Sequence, residues 1–278
     1  MRELLDTVAK LIDRDVPILI LGESGAGKNH LAEAIHACGA RRNQPFVHID
    51  CASIPHELFE SELFGYEKGT FTDAQSRKIG KLEAAQGGSV YFDEIAALTQ
   101  PLQAKLLRAI ESKRFTRLGG HQQVEFAARV MSSTNVDIAS IRRDLFYRIN
   151  VVTLKLPPLR ERREDIPLLI GDRNVDDEAM QILLSYSWPG NVRELRNVME
   201  RAALFADPID ASSLPEEMRS APSLIDAAKR EEWTLDELEE RYIREVLRAT
   251  KSNYTRAAEI LGINRKTLLE KRKKYGIH

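Results

Sequence analysis

The chain has 278 residues, 43% of them hydrophobic and 30% charged, with a formal net charge of -1. This is globular composition, long enough for one large domain plus one or two small ones; no apolar run approaches the roughly 18 residues of a membrane span, and Met1-Arg2-Glu3 opens an amphipathic helix with no signal-peptide pattern. Two cysteines, Cys38 and Cys51, exclude a disulfide framework and a zinc cluster, so both are expected reduced and buried in a soluble, cytoplasmic protein.

From the N-terminus, short apolar runs at 16–21 (VPILIL), 46–49 (FVHI), 89–92 (SVYF), 128–134 (ARVMSST) and 151–154 (VVTL) alternate with helical patterns. That alternation predicts a mostly parallel sheet with covering helices, an α/β subdomain over residues 1–156. Strand signals stop at Pro157, and helices at roughly 164–170, 176–186 and 190–205 predict a small all-α subdomain over 157–205. Residues 206–232 carry three prolines and many small polar residues with little periodicity, which predicts a linker. A final helical unit is predicted over 233–278, and no internal repeat is visible.

The first strand runs into Gly22-Glu23-Ser24-Gly25-Ala26-Gly27-Lys28-Asn29, followed by a helical run to about Cys38. G-x-x-x-x-G-K between a strand and a helix is the setting of a P-loop. Glycines let the backbone wrap a β-phosphate, the helix N-terminus presents N–H groups, and Lys28 neutralises the β/γ oxygens, so ATP with Mg²⁺ is the expected ligand. Asn29 stands where the strict pattern has Ser or Thr on Mg²⁺. Its amide oxygen is a weaker candidate ligand, and metal binding must lean on carboxylates and water.

Residues 87–94, GGSVYFDE, place Asp93 and Glu94 at the end of a buried strand. By themselves, two acids after apolar residues read equally as a charge pair at a helix N-terminus. With a P-loop about 65 residues upstream they read as a Walker B pair, Asp93 organising Mg²⁺ and Glu94 activating the attacking water.

GESGAGK, ELFESELFGYEKGTFTDA, GGSVYFDEI, QAKLLRAIE, LPPLRERREDI and SWPGNVRELRNVMERA together resemble the central domain of bacterial enhancer-binding proteins, the AAA+ activators of sigma-54 RNA polymerase, over about residues 1–205. The resemblance implies an AAA+ P-loop NTPase fold with a helical lid, and a ring, commonly a hexamer, with ATP between neighbouring subunits. It implies that Asn135, after Thr134, is a sensor I amide near the γ-phosphate, and that Arg142 and Arg148 reach the neighbour's ATP, where a guanidinium supplied in trans stabilises the transferring phosphoryl. Arg193 matches the sensor II arginine of the lid. Gly69-Thr70-Phe71-Thr72-Asp73-Ala74 matches the polymerase-contacting loop, usually GAFTGA, with Thr70 and Asp73 as departures; Gly119 to Phe126 is expected to form a hairpin beside it.

Asp50 stands where the family has an asparagine that restrains the catalytic glutamate, and two facing acids would repel or share a proton. The connections Val136 to Ile141 and Gly171 to Val175 look shortened. This sequence holds no receiver or ligand-sensing region ahead of the ATPase segment, which leaves open control by a separate partner or a fragment of a longer protein.

Residues 251–278 hold eight basic side chains (Lys251, Arg256, Arg265, Lys266, Lys271, Arg272, Lys273, Lys274) against Glu259 and Glu270, which points to a polyanion partner for that end. Residues 254–261, a turn at Gly262-Ile263-Asn264, and 265–275 predict helix, tight turn, helix, resembling a Fis-type helix-turn-helix. Ala257, Ala258, Ile260, Leu261, Leu268 and Leu269 are its expected core. Arg265, Lys266 and Thr267 are expected at base edges, with Asn264 also DNA-binding and Lys271, Arg272 and the basic residues to Lys274 on phosphates of double-stranded DNA. The helix from Thr234 to Thr250, through Leu235, Leu238, Tyr242, Ile243, Val246 and Leu247, is expected to pair with its copy.

The combined expectation is a sigma-54-dependent transcription activator that hydrolyses ATP to remodel RNA polymerase holoenzyme and binds upstream DNA. Thr70 and Asp73 leave open a relative that serves another polymerase form; Asn29, Asp50 and the short connections leave open a DNA-binding regulator that hydrolyses ATP poorly.

Overall fold

The structure, a computed structural model, describes residues 1–72, 74–135, 138–219, 228, 232–250 and 253–277, and the side chains of Arg2 and Glu3 are outside that description. Asp73, Val136, Lys251 and most of the expected linker, 220–227 and 229–231, therefore lie outside the described residues. The described chain divides into two compact units, residues 1–175 with 183–209, and residues 176–182 with 210–278.

The strands are β1 (Ile18–Leu21), β2 (Phe46–Asp50), β3 (Gly65–Tyr66), β4 (Lys78–Ile79), β5 (Ser89–Asp93), β6 (Arg114–Thr116), β7 (Gln123–Glu125), β8 (Arg129–Thr134) and β9 (Val152–Lys155). The helices are α1 (Arg2–Leu11), α2 (Lys28–Cys38), α3 (His56–Phe64), α4 (Lys81–Ala84), α5 (Gln100–Ser112), α6 (Arg143–Ile149), α7 (Ile166–Ile170), α8 (Asp177–Ser185), α9 (Asn191–Ala203), α10 (Glu216–Arg219), α11 (Leu235–Ala249), α12 (Tyr254–Leu261) and α13 (Arg265–Lys274).

In the first unit five strands form one parallel sheet in the order β2-β5-β8-β1-β9. β1 explains why its sequence shows no polar alternation. Ile18 and Ile20 face a layer with Val8, Ile35, Tyr91 and Met131, while Leu19 faces the opposite layer with Phe59, Leu106 and Leu145. Both faces are covered, so the strand reads as a continuous apolar run. Each such buried side chain stabilises the unit by about 1.5–3 kcal/mol. The register pairs Leu21 with Thr134 and Asp50 with Asp93, which brings the ends of four strands, β1, β8, β2 and β5, to one edge of the sheet.

Three expectations change. Cys51 is buried but Cys38 is exposed, because the last turn of α2 buries its other face through Ile35 and His36. Residues 206–219 are not plain linker: Val175 bridges Ile209, Asp210 caps a turn of 3-10 helix at Ala211–Ser213, and α10 follows. In the second unit α11, α12 and α13 pack around Ile243, Val246, Leu247, Ala257, Ala258, Leu268 and Ile277. Ile260 and Leu269 stay 47% and 41% exposed, since the small alanines bring the helices together along a different face. The apolar residues of α11 also divide: Ile243, Val246 and Leu247 are used inside the unit, whereas Leu235 and Tyr242 face outward.

Candidate functional site

The P-loop follows β1 directly. Gly25 has φ +75°, and a Cβ there would meet the Gly190 carbonyl oxygen at 2.4 Å, so both the turn and its neighbour require glycine. Lys28, on the first turn of α2, is 5% exposed; its ammonium donates to Gly22 O at 2.9 Å and to Glu94 Oε1 at 3.0 Å. The other Glu94 oxygen accepts the Asn135 backbone N–H at 3.1 Å, and the Glu94 N–H donates to Ser133 Oγ at 3.1 Å. Asp93 Oδ1 accepts from the Ser133 hydroxyl at 2.6 Å. Lys28, Asp93, Glu94 and Asn135, predicted separately, thus meet at the ends of β1, β5 and β8. Asn135 contributes through its backbone here.

Asn29 Oδ1 accepts from the buried Tyr91 hydroxyl at 2.9 Å, and the same hydroxyl lies 3.2 Å from Asp93 Oδ1. Burial first, and the nearby Asp93 and Glu94 charges, raise the Tyr91 pKa, so the phenol stays protonated as a donor. Among the described residues no three His, Cys, Asp or Glu side chains gather as a metal cage. A hard-oxygen pair of one carboxylate and one amide fits Mg²⁺, which takes few protein ligands and completes its shell with phosphate and water.

Glu23 does not face this space. Arg160 grips its carboxylate with two N–H groups at 2.6 and 2.8 Å, and Asn191 Nδ2 donates to it at 3.1 Å; the Arg160 hydrogen bond holds its pKa below the usual carboxylate value. Asn191 is fully buried at φ +54°, accepts the Leu159 N–H at 2.8 Å and donates to Ser24 O at 3.1 Å. The Val192 N–H donates to Gly25 O at 3.0 Å, and Arg193 donates to Ser24 Oγ at 3.1 Å. The start of α9 is therefore latched onto the P-loop. Sequence reading placed Arg193 here but missed Asn191, Arg160, Tyr91 and Ser133. Asn191 and Arg160 stand inside two quoted motifs, GNVREL and LPPLRERREDI, where neighbouring polar and charged residues left nothing to single them out.

Asp50 corrects another expectation. Its Oδ1 accepts the N–H groups of Ala52 and Ser53 at 3.0 and 3.2 Å, closing its own turn. Glu94 instead meets Lys28.

Residues 69–72 and 74 lie between β3 and β4, which pair antiparallel. Phe71 is 45% exposed and rests edge-on against Tyr66 at 4.7 Å. Thr70 Oγ1 donates toward Glu67 O at 2.6 Å and Leu118 O at 3.0 Å. Strands β6 and β7 form a hairpin around 117–122, and Leu118 bridges Tyr66. Arg117, 5% exposed, joins the two loops through Glu67 at 2.9 Å and Glu83 at 2.7 and 2.9 Å.

Arg142 and Arg148 stand apart from the P-loop contacts. Arg142 precedes α6, its guanidinium held by Asp144 at 2.7 and 3.0 Å; Arg148 is exposed on the last turn beside Tyr147.

In the second unit Asn264 caps α13, its Oδ1 accepting the Thr267 N–H at 2.8 Å and hydroxyl at 3.0 Å. Gly262, φ +65°, makes the turn before it. Arg265, Lys266 and Lys273 are exposed. Lys271 and Arg272 have partners inside the unit that were not expected: Lys271 pairs with Glu239 at 2.7 Å, and Arg272 lies over the Tyr254 ring while donating to Ile277 O at 2.8 Å. The side of α13 that faces α11 meets acids, so part of the basic run neutralises its own unit.

No helix among the described residues is long and apolar enough to cross a membrane. The chain is 41% identical over 305 residues to Regulatory protein AtoC of Escherichia coli, covering 100% of this chain and 66% of that protein. It is 40% identical over 292 residues to Transcriptional regulatory protein ZraR of Salmonella typhimurium, covering 98% and 66% respectively. The chain thus spans 66% of the length of both. The crystal structure of NtrX from Brucella abortus in complex with ATP matches with a TM-score of 0.71 at 35% identity, covering 100% of this chain and 68% of that one. An AAA+ ATPase lid domain matches residues 160–230, past Phe205, and the Fis family of bacterial regulatory proteins matches 234–275. The Sigma-54 interaction domain matches residues 1–155, more than half of the sequence, and the chain belongs to that family.

Proposed function

We propose that this protein is a sigma-54-dependent transcription activator of the bacterial cytoplasm, which hydrolyses ATP with Mg²⁺ in a homo-oligomeric ring and binds double-stranded DNA through its C-terminal helices. The observation that carries the reading is the meeting of Lys28, Asp93 and Glu94 beneath the latched start of α9, with Arg142 just before, and exposed Arg148 on the last turn of, the separate helix α6. Such a site binds nucleotide within one chain and needs an arginine from a second.

The residues divide the work. Lys28 neutralises the β/γ oxygens, Glu94 orients and deprotonates the attacking water, and Arg148 from a neighbour, with Arg142, stabilises charge on the transferring phosphoryl. Mg²⁺, when bound, would supply charge neutralisation to the polyphosphate. Asp93 and Asn29 would hold it. Arg193, touching Ser24, senses the nucleotide through the lid. Phe71, with Thr72 at its side, presents the exposed aromatic tip for sigma-54 RNA polymerase holoenzyme. Subdomains over 1–156 and 157–205, a connection to 232 and a DNA-binding unit over 233–278 serve this scheme.

The test is ATP turnover against protein concentration, followed by open-complex formation with sigma-54 polymerase. Specific activity should rise as rings form. Flat, concentration-independent hydrolysis would count against the trans arginines.

A second reading has one observation in its favour. Thr70 occupies a position that is Ala in GAFTGA, and its hydroxyl ties the loop base to Leu118 O and Glu67 O. A loop tethered in this way favours a relative that hydrolyses ATP without opening sigma-54 promoters, and the promoter assay separates the two.

A further inference from the structure

Tyr91 is fully buried, yet its hydroxyl ends among polar atoms. The ring is fixed by Phe46, stacked at 6.3 Å, and by His48 at 5.3 Å. Its oxygen lies 2.9 Å from Asn29 Oδ1 and 3.2 Å from Asp93 Oδ1. Ser133, on the neighbouring strand, fixes Asp93 Oδ1 from another side at 2.6 Å.

An asparagine is an ambiguous metal ligand, because its carboxamide presents an oxygen and an NH₂ group of almost equal size. Rotation about χ2 exchanges them, and an NH₂ turned toward a cation repels it. On the first turn of α2, half-buried, Asn29 has room for either orientation. In this structure the Tyr91 O–H makes its shorter bond to the amide oxygen, 2.9 Å against 3.2 Å to Asp93 Oδ1, and so places that oxygen on the side of Asp93; a carbonyl oxygen that accepts one hydrogen bond keeps a second lone pair.

We propose that Tyr91 is a positioning residue for the divalent cation: its hydroxyl holds the Asn29 amide oxygen and the Asp93 carboxylate converged, so that an amide replaces the usual P-loop hydroxyl as metal ligand. The proposal rests on the ATPase reading above. It gives the Asn29 departure a compensating partner 62 residues away, which neither residue announces by itself. Outer-shell groups that orient metal ligands typically matter by 10- to 100-fold in affinity, which sets the expected size of the effect.

The experiment measures binding. A fluorescent ADP is bound to the full chain and Mg²⁺ is titrated in, with an EDTA reference, for wild type, Tyr91→Phe, Asn29→Ala and the double variant. Tyr91→Phe should raise the Mg²⁺ concentration for half-saturation at least about 10-fold. The double variant should be no worse than Asn29→Ala, since both changes break one linkage. Asn29→Ala, at a half-buried position, carries the same expected rise and does not depend on how the core tolerates Phe.

Equal half-saturation in folded wild type and Tyr91→Phe would overturn the proposal. So would an equal loss of ADP affinity with Mg²⁺ and with EDTA, which is the signature of packing alone. A wild-type chain whose ADP binding ignores Mg²⁺ would remove the ATPase reading and this proposal together, an outcome distinguishable from the other two.

Discussion

Lys28 Nζ donates to Glu94 Oε1 at 3.0 Å while the Asn135 N–H holds Glu94 Oε2 at 3.1 Å. The two oxygens of one carboxylate are thus engaged by Lys28 and by the end of β8. Under the proposed function a γ-phosphate would compete for the same ammonium, which would link nucleotide binding to the release of Glu94 as a base. Glu94→Gln, which keeps the shape and loses the base, should retain ATP binding and lower turnover by about 10²–10⁴-fold. Lys28→Ala should lose the binding itself. Nucleotide titration beside phosphate release measures both.

Asn191 joins the lid to the P-loop from a fully buried position with a left-handed backbone. Asn191→Ala removes bonds to Leu159, Glu23 and Ser24, strands the buried Leu159 N–H, and puts alanine, which tolerates the left-handed region less well than asparagine, where φ is +54°. Losses of this kind total about 2–4 kcal/mol. Thermal unfolding should show a fall of roughly 5–10 °C. A shift within about 1 °C would show that the latch adds little.

Arg148→Ala should abolish the rise of specific ATPase activity with protein concentration. Mixing it with Glu94→Gln should restore turnover, because the second chain lends its arginine to the first chain's intact Glu94. Two inactive variants that stay inactive when mixed would place Arg148 outside the neighbour's site.

The tail makes a contrast measurable by salt dependence. Lys266→Ala and Lys273→Ala, on the exposed face of α13, should each reduce the slope of log affinity against log salt by about 1. Lys271→Ala should leave the slope unchanged, because Glu239 already takes its charge. A fall of the same size for Lys271 would return it to the DNA face.

His36 supplies a pH prediction. Its ring is buried against Ser89 Oγ at 2.9 Å and Gln44 O at 3.1 Å, and burial, opposed by the Gln44 bond and aided by Arg129 and Arg41, lowers its pKa from 6.5. The unfolded chain therefore takes up a proton before the folded one does. This contribution to stability is full above about pH 6.5 and is lost as pH falls through the lowered folded value. Denaturant midpoints from pH 8 to 5 should decline below 6.5, and His36→Gln should flatten that part of the curve.

Much of the sheet was legible because a strand buried on both faces leaves a short apolar run, as 16–21 and 89–92 do. The P-loop was legible because a backbone that wraps phosphate demands glycines at fixed spacing. Ile260 and Leu269 were misread as core for a related reason: helical periodicity marks an apolar face without saying which neighbour covers it. The partners that Lys271 and Arg272 find within the unit, Glu239 and the Tyr254 ring, were not legible because charge in a sequence carries no record of what other helices bring to it.

The amino-acid order by itself determined the element types, the order of strands and helices, and the chemistry available at Lys28, Asp93 and Glu94, since these follow from backbone preferences and side-chain functional groups. Tertiary structure alone decided that Glu23 turns to Arg160 and Asn191, that Asp50 closes its own turn, and that Tyr91 meets Asn29. Those outcomes depend on which strand ends and helix starts share a few ångströms of space. Contacts between residues 62 or 168 positions apart have no local signature.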